Sequence, residues 1–295
     1  MQILEELPLS IKNSAVCIGK FDGFHLGHMR LIRSVLNHTE ENTVIFSLRN
    51  EQNESLFTLK EQRRMARQLG FSYFVSFKDL SQIYAMDAEE FIQTILVDQC
   101  DLSYICAGKD FRFGNGRKGD VKLLQQKSSR FGYQCVVVED RIHQGERISS
   151  TRVKNALKDG DLNEVTTMLG RPFFVYDTVK PGEQLGRTIG FPTANFSLPS
   201  NKCMPPHGVY GVKAEIGKKF YYGMANLGLR PTVSKGDRVT LEVHFLDYSG
   251  NLYNKDIQVD FLYPIREEKK FDSLEALQHQ LEMDAKTVKK TVKKP

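Results

Sequence analysis

The feature that most constrains the fold is a regular alternation of apolar and amphipathic runs over the first half of the chain. Short runs rich in Val, Ile, Phe and Tyr predict β-strands, and the longer runs between them repeat their apolar residues at helical spacing. Strands that alternate with helices form parallel βαβ units, whose ligands bind beyond the carboxyl ends of the strands. The predicted strands are at 14–19, 43–48, 73–77, 102–108 and 133–139, and the predicted helices are at 28–38, 59–69, 88–99 and 121–131.

The pattern changes near residues 169–175, where Gly- and Pro-rich turns begin to separate short alternating runs. This second pattern is typical of a small antiparallel barrel, and an amphipathic run at 271–290 predicts a closing helix. A chain of 295 residues suits two domains, which the change of pattern places at 1–168 and 169–295. The predicted strands of the second domain are at 173–179, 208–216, 219–227, 238–246 and 257–263.

Charge and composition argue against several classes of protein. The formal charge of +5 is matched by five lysines in the last ten residues, so the rest of the chain is near neutral and unlike a nucleic-acid-binding protein. The lysine-rich C-terminal residues have two interpretations: a solvated tail, or a tail that contacts nucleic acid or a membrane. With no apolar run of about 18 residues and no signal peptide, we expect a cytoplasmic protein. Five scattered cysteines without a CxxC pair indicate neither a disulfide framework nor a zinc site, and self-association is left open.

A glycine-rich loop joins the first predicted strand to the first predicted helix. Its sequence, GKFDGFHLGH at 19–28, contains two histidines separated by Leu-Gly. Glycines permit a tight turn, and a helix N-terminus presents N–H groups and partial positive charge to a phosphate. Imidazole donors beside that phosphate would stabilise the charge that accumulates during nucleotidyl transfer. We therefore predict that His25 and His28 are catalytic and that ATP phosphates bind at Gly19, Phe21, Asp22, Gly23 and Gly27.

The run at 19–28 resembles the HxGH signature of nucleotidylyltransferases and, more narrowly, the first motif of bacterial bifunctional riboflavin kinase/FAD synthetases. Two later runs resemble further motifs of that family: AGKDFRFG at 107–114, near the flavin and the nucleotide, and ISSTR at 148–152, which binds phosphate. A plain helix cap is the alternative reading of ISSTR. The resemblance implies flavin-binding roles for Asp110, Phe111 and Phe113, and ATP-binding roles for Ser149, Ser150, Thr151 and Arg152.

One element of the family pattern is missing from this chain. Members of the family usually carry a Pro-His-Pro-type element after the second strand, with its histidine near the ATP phosphates. Residues 47–53 here read SLRNEQN, without Pro or His. Arg49 is an alternative source of positive charge at this place. The departure concerns the FAD-forming half and not the kinase half.

A second constellation, GRTIGFPTAN at 186–195, stands in the second half of the chain. Glycines flank a basic residue, and a proline-stiffened turn ends in a hydroxyl and an amide. Their oxygens are hard ligands that suit Mg²⁺ brought in with ATP, although a plain glycine-rich turn is the alternative reading. The run resembles the signature of riboflavin kinases. The resemblance implies that Thr193 and Asn195 bind the metal and that Gly186, Arg187 and Gly190 bind ATP.

The run RVTLEVHFLD at 238–247 predicts a strand with one apolar face, which leaves Glu242 on the other face. A solvated carboxylate is the ordinary reading of such a position. In riboflavin kinases, however, the glutamate of this strand acts as general base on the ribityl hydroxyl, and Glu242 matches it. The run ANLGLRPT at 225–232 resembles a flavin- and nucleotide-lining loop of the same family. The resemblance therefore implies flavin-binding roles for Asn226 and Arg230.

The resembling runs follow the order of the family over nearly the whole chain. They imply a Rossmann-like α/β nucleotidyltransferase domain with a parallel sheet, followed by a six-stranded antiparallel flavokinase barrel with a terminal helix. The implied reactions are riboflavin and ATP to FMN and ADP in the C-terminal domain, then FMN and ATP to FAD and pyrophosphate in the N-terminal domain, with Mg²⁺. Three alternatives are a kinase with a weak or altered adenylyltransferase half, a non-catalytic flavin-binding regulator, and a different adenylyl- or cytidylyltransferase.

Overall fold

A computed structural model describes residues 1–38, 42–49, 52–182, 185–230 and 238–292. The chain forms two compact units, each with its own sheet. The first unit comprises Met1–Glu54 and Gln62–Ser150, and the second comprises Ser55–Glu61 and Thr151–Pro295. None of the described helices combines the length and the apolar character that a bilayer crossing requires.

The first unit is built on a six-stranded sheet in which every neighbouring pair of strands is parallel, as the sequence predicts. Its strands and those of two short hairpins are β1 (Gln2–Leu4), β2 (Ser14–Gly19), β3 (Asn42–Ser47), β4 (Tyr73–Val75), β5 (Leu102–Gly108), β6 (Arg112–Phe113), β7 (Gly119–Asp120), β8 (Gln134–Val138), β9 (Ile142–His143) and β10 (Glu146–Arg147). The strand order in the sheet is β1-β4-β3-β2-β5-β8. The sequence pattern does not predict β1 or the hairpins β6–β7 and β9–β10, because strands of two or three residues carry no measurable alternation.

Helices connect these strands. They are α1 (Leu26–Leu36), α2 (Leu59–Gln68), α3 (Ser81–Ala85), α4 (Ala88–Glu90), which continues as a π-helix over Phe91–Gln99, and α5 (Val121–Phe131). Strands β2 and β3 are buried on both faces, which explains why they read as unbroken apolar runs. Phe46 on β3 illustrates the packing, since its ring lies 5.8 Å from that of Phe77 and 6.1 Å from that of Phe91.

The second unit is a six-stranded antiparallel barrel that ends in a long helix, which confirms the predicted architecture. Its elements are α6 (Ser150–Lys158), α7 (Leu162–Leu169), β11 (Phe174–Thr178), α8 (Leu185–Thr188), β12 (Ala194–Ser197), β13 (Gly208–Ile216), β14 (Lys219–Arg230), β15 (Arg238–Phe245), β16 (Asp256–Glu267) and α9 (Leu274–Val292). The strand order is β11-β16-β13-β14-β15-β12. A bridge between Lys180 and Asn195 joins the two edges, with a hydrogen bond of 2.9 Å, so the barrel is nearly closed.

A buried ion pair ties the segment Ser55–Glu61 into the second unit. The Glu61 carboxylate accepts hydrogen bonds from Lys202 Nζ at 2.7 Å, Tyr176 N at 2.8 Å and Thr58 N at 2.6 Å. Lys202 also donates to the Leu56 carbonyl at 2.9 Å, and both charged side chains are only 1% exposed. Because each charge is compensated by the other and by backbone groups, the pair is tolerated in the interior.

Candidate active sites

The loop between β2 and α1 has a backbone that only a well-anchored turn can adopt. Phe21, Gly23 and Phe24 have φ values of 49°, 88° and 47°, in the left-handed region that disfavours phenylalanine. The two phenylalanine side chains are fully buried, with ring centroids 5.9 Å apart. Their burial offsets the backbone strain and fixes the direction in which α1 begins.

The two histidines of this loop form one structural feature. His25 is the N-cap of α1, and its Nδ1 accepts a hydrogen bond of 3.3 Å from the backbone N–H of His28. The two imidazole rings stack, with centroids 3.7 Å apart. Because Nδ1 of His25 is an acceptor, the neutral ring carries its proton on Nε2 and is a donor there. The cap thus fixes the tautomer that a phosphate-binding histidine needs.

A cavity of about 560 Å³ lies at the carboxyl ends of the parallel strands. The residue at or next to the end of each of four strands lines it: Gly19 on β2, Leu48 after β3, Gly108 on β5 and Val138 on β8. This is where ligands of parallel sheets bind. The cavity brings together side chains that the sequence predicts from two separate motifs, namely His25, His28, Asp110, Phe111 and Phe113.

Several charged residues of this cavity are not predicted by the sequence analysis. Arg147 lies 2.7 Å from Asp110 and 3.1 Å from Asp140, which places an ion pair on a predicted flavin-binding residue. No local signal marks Arg147 or Asp140, because they come from the hairpin β9–β10 and the loop before it. The cationic residues that line the cavity are Lys20, Arg112, Arg117, Arg141 and Arg147.

Gly27 also lines the cavity, whereas the other residues predicted for the N-terminal site do not line it in the part of the chain that the structure describes. Phe21, Asp22 and Gly23 are buried in the turn itself and shape it. Ser150 Oγ donates to the Asp22 carbonyl at 2.8 Å, which links the ISSTR run, with Ser149, to the histidine loop. Thr151 and Arg152 belong to the second unit, where Arg152 Nη2 lies 2.8 Å from Glu164 Oε1.

In the barrel, strand pairing alone brings three of the predicted residues into one row. Asn195 on β12 lies opposite Glu242 on β15, and Glu242 lies opposite Asn226 on β14. Directly paired residues point to the same face of a sheet, so these side chains are neighbours. On the other face, Leu241 and Val243 are fully buried, as the alternation predicts. Glu242 is therefore held in position by a strand whose register the core fixes.

Two cavities adjoin this row. One of about 270 Å³ is lined by Glu242, Asn226, Gly186 and Thr193, together with Phe271 before α9. The other, of about 720 Å³, is lined by predicted residues from the glycine-rich run and by the loop after β15, which supplies Tyr248 and Asn251. The predicted residues that line this second cavity are Gly190, Thr193 and Asn195. The side chains of Arg187 and Arg230 lie outside the part of the chain that the structure describes.

Thr193 and Asn195 present oxygen atoms that fit Mg²⁺. Asn195 Nδ2 donates to Thr193 Oγ1 at 3.2 Å and to the Thr193 carbonyl at 3.3 Å, so the two side chains are in contact. With the amide nitrogen directed at Thr193, the other end of the amide is an oxygen acceptor. A hydroxyl and an amide oxygen are neutral hard donors, and magnesium that arrives with ATP phosphates needs only one or two protein ligands.

Several other residues that line the smaller cavity have no role predicted from the sequence. Arg266 forms an ion pair of 2.9 Å with the buried carboxylate of Asp284, which fastens α9 to β16. Leu277 and Leu281 lie on the same helix and give the cavity an apolar wall. The remaining unassigned residues there include Phe191, His244, Glu268 and Lys269.

Comparisons with known proteins match both halves of the chain. A riboflavin kinase family model matches residues 169–292, and an FAD synthetase family model matches residues 8–152. Bifunctional riboflavin kinase/FMN adenylyltransferases are similar along most of their length. The protein from Escherichia coli K12 is 37% identical, with 92% of this chain and 90% of the relative covered, and that from Bacillus subtilis is 31% identical, with 92% and 90% covered.

One further relative and one solved structure also match nearly the whole chain. The bifunctional enzyme from Haemophilus influenzae is 34% identical, with 95% of this chain and 94% of the relative covered. A crystal structure described as a macrolide-efflux protein from Streptococcus pneumoniae superposes with a TM-score of 0.79 at 29% identity and covers 95% of both chains.

Proposed function

The chain belongs to the bifunctional riboflavin kinase/FMN adenylyltransferase family, and we propose that its two reactions take place at the two separate sites described above. The enzyme phosphorylates riboflavin to FMN and adenylylates FMN to FAD, with ATP as co-substrate in both steps. We assign FMN adenylyltransferase activity to residues 1–168 and riboflavin kinase activity to 169–295. The matched segments 8–152 and 169–292 support this division.

In the kinase reaction, Glu242 is the general base. The ribityl hydroxyl oxygen attacks the γ-phosphorus of ATP, the bond to the bridging oxygen of ADP breaks, and the hydroxyl proton passes to the carboxylate. The observation that carries this assignment is the row Asn195–Glu242–Asn226, which sets the base beside the residues proposed to hold metal and flavin. Phosphoryl transfer requires mainly positioning and charge neutralisation, so this proximity is the essential feature.

Mg²⁺ would be held by Thr193 and Asn195, and when bound it neutralises negative charge on the phosphates. Gly186 and Gly190 are proposed to bind ATP. The turn itself requires glycine at 186, because a side chain there would meet the Phe191 carbonyl oxygen at 2.3 Å. Asn226 contacts the flavin from the row that holds Glu242. Arg187 and Arg230 are proposed to bind ATP and flavin, respectively.

In the adenylyl transfer, a phosphate oxygen of FMN attacks the α-phosphorus of ATP and pyrophosphate leaves. His25 and His28 donate to the phosphate oxygens at which charge increases, and each well-placed donor contributes about 3 kcal/mol of transition-state stabilisation. The N-terminus of α1 adds its own partial positive charge. Asp110, Phe111 and Phe113 form the flavin side of the cavity, and Ser149, Ser150, Thr151 and Arg152 are proposed to bind the phosphates of ATP.

Product analysis tests the assignment of both activities to this chain. The purified protein is incubated with riboflavin, ATP and Mg²⁺, and the flavins are separated by chromatography over time. We expect FMN first and FAD second, and excess chelator stops both until Mg²⁺ is added back. FMN without FAD, also with reduced flavin, would show that the missing Pro-His-Pro element has disabled the N-terminal site. We also propose a cytoplasmic location, which the five free cysteines support.

A further inference from the structure

The carbonyl group of Pro192 receives a side-chain hydrogen bond from the neighbouring strand. His244 Nδ1 lies 2.9 Å from the Pro192 oxygen. Since a carbonyl oxygen only accepts, the His244 ring donates this bond through Nδ1–H. The contact joins β15, which carries Glu242, to the turn that leads into Thr193. It therefore links the base to the proposed metal ligands.

The position of this bond follows from where the strand ladder ends. The pairing of β12 with β15 stops at Ala194, opposite Val243. Proline has no N–H and cannot continue a ladder, so the carbonyl is the one backbone polar group that can tie Pro192 down. His244, which follows Val243, supplies the donor that the ladder lacks. The side chain thus extends the attachment of the turn beyond the last backbone pair.

Contacts around the ring keep it in this orientation. The Phe191 ring meets the His244 ring edge-on, with centroids 5.0 Å apart. Burial lowers the pKa of His244 below its ordinary value, the bond to Pro192 opposes that shift, and the charge of Lys289 on α9 adds to it. Burial and the charge of Lys289 thus favour the neutral ring, whose one proton the bond to Pro192 places on Nδ1.

His244 also lies between the two cavities of the kinase site. It lines the larger cavity, with Thr193 and Asn195, and the smaller one, with Glu242. His244 itself takes no part in the proposed reaction, because the base is Glu242 and the oxygen ligands are Thr193 and Asn195. It lies between the base and the proposed metal ligands, and phosphoryl transfer depends on the distance between these two.

We propose that His244 is a positioning residue of the riboflavin kinase site, which holds the Pro192–Thr193 turn at a fixed distance from Glu242. The proposal rests on the assignment of Thr193, Asn195 and Glu242 in the proposed function. Without the hydrogen bond, Thr193 moves relative to the base, and the bound ATP loses its alignment with the ribityl hydroxyl. The expected loss is about ten- to a hundredfold in kcat/KM for ATP, with flavin adenylylation unchanged.

The test compares side chains that keep or lose a donor at one atom. In both histidine and asparagine a nitrogen is bonded to Cγ, so His244→Asn retains a donor near Nδ1, whereas in His244→Gln the nitrogen lies one bond further out. We expect His244→Asn to keep FMN formation within about threefold of wild type and His244→Gln and His244→Phe to lose about ten- to a hundredfold, mainly through kcat, because the bound ATP is misaligned. His207→Phe, at an exposed histidine of the same unit, is the matched control.

Thermal unfolding and adenylylation of supplied FMN are measured on every variant. Equal FMN formation by the Asn, Gln and Phe variants, whether high or low, would overturn the proposal, since it predicts that the Asn variant differs from the others. If His244→Phe does not fold, His244→Gln carries the same comparison. Thr193→Ala and Glu242→Gln are assayed in parallel. If these two leave FMN formation intact, the proposed kinase site is wrong; if they abolish it while all His244 variants are active, only the positioning role is wrong.

Discussion

Gly27 provides a direct test of how closely the position of His25 controls adenylyl transfer. A methyl group added at Gly27 would lie 3.0 Å from Cε1 and Nδ1 of the His25 ring and 3.5 Å from the Ile148 carbonyl oxygen. Ordinary contacts begin at 3.4 Å, so the ring must move by about 0.4 Å in Gly27→Ala. The ring caps α1 through Nδ1, and the movement therefore alters the cap and the donor at Nε2 together.

The size of the effect follows from this displacement. A misplacement of about 1 Å at a catalytic group costs about a hundredfold, so for a shift of about 0.4 Å we expect FAD formation from supplied FMN to fall about five- to tenfold in kcat. Stability should hardly change, because Gly27 is within α1 and alanine gains about 0.5–1 kcal/mol there, which offsets the crowding. The assay measures kcat and KM for adenylylation, with riboflavin phosphorylation by the same protein as internal control.

Arg33→Ala, at an exposed position of the same helix, is the matched control and should retain both activities. The reasoning would be refuted if Gly27→Ala formed FAD within twofold of wild type. It would equally be refuted if both reactions fell together, since the crowding is local to the histidine loop.

Three further predictions concern the second unit and the metal. Lys202→Met should lower the free energy of unfolding by about 3–5 kcal/mol, because it leaves the Glu61 carboxylate buried without its counter-charge. Urea denaturation measures the loss, and the double variant Lys202→Met/Glu61→Leu should recover most of it. Hydrogen bonds from Lys60 and Thr178 lower the pKa of Asp256 below its ordinary value of 3.8. The ionised carboxylate therefore stabilises the fold above that pH, and this contribution is lost as the pH falls through the lowered pKa. Lys60→Met should therefore destabilise by up to about 1 kcal/mol at pH 7, a small value because the pair is exposed, and by progressively less as the pH falls through the lowered pKa of Asp256. Thr193→Ala should raise the Mg²⁺ concentration needed for half-maximal FMN formation, and an unchanged requirement would contradict its role as a ligand.

Elements whose signal is local could be predicted from the sequence. The two faces of β15 follow from strict alternation, and the loop at 19–28 follows from its glycines and histidines. Strand β12 escaped the pattern because it has only four residues, the first two of which end the run that resembles the kinase signature, and only the resemblance implied a sixth strand. The row Asn195–Glu242–Asn226 needed the register of three strands, which no single segment specifies.

Features that depend on distant pairs could not be predicted. Glu61 and Lys202 are 141 residues apart, so nothing in the run around Glu61 indicates that Ser55–Glu61 belongs to the second unit. The ion pair of Arg147 with Asp110 could not be predicted either, because a short hairpin brings the arginine to the cavity. The alternation of β15 predicts that His244 shares the face of Glu242, yet its bond to Pro192 depends on where the ladder ends.

The separation of the two reactions is tested most directly with Glu242→Gln and His28→Ala, each assayed with riboflavin and, separately, with supplied FMN. The account predicts that Glu242→Gln loses FMN formation by about 10²- to 10⁴-fold and still converts supplied FMN to FAD, whereas His28→Ala forms FMN at the wild-type rate and makes little FAD. If either substitution silenced both reactions in a folded protein, or left its own reaction unchanged, the assignment of two independent sites would be contradicted.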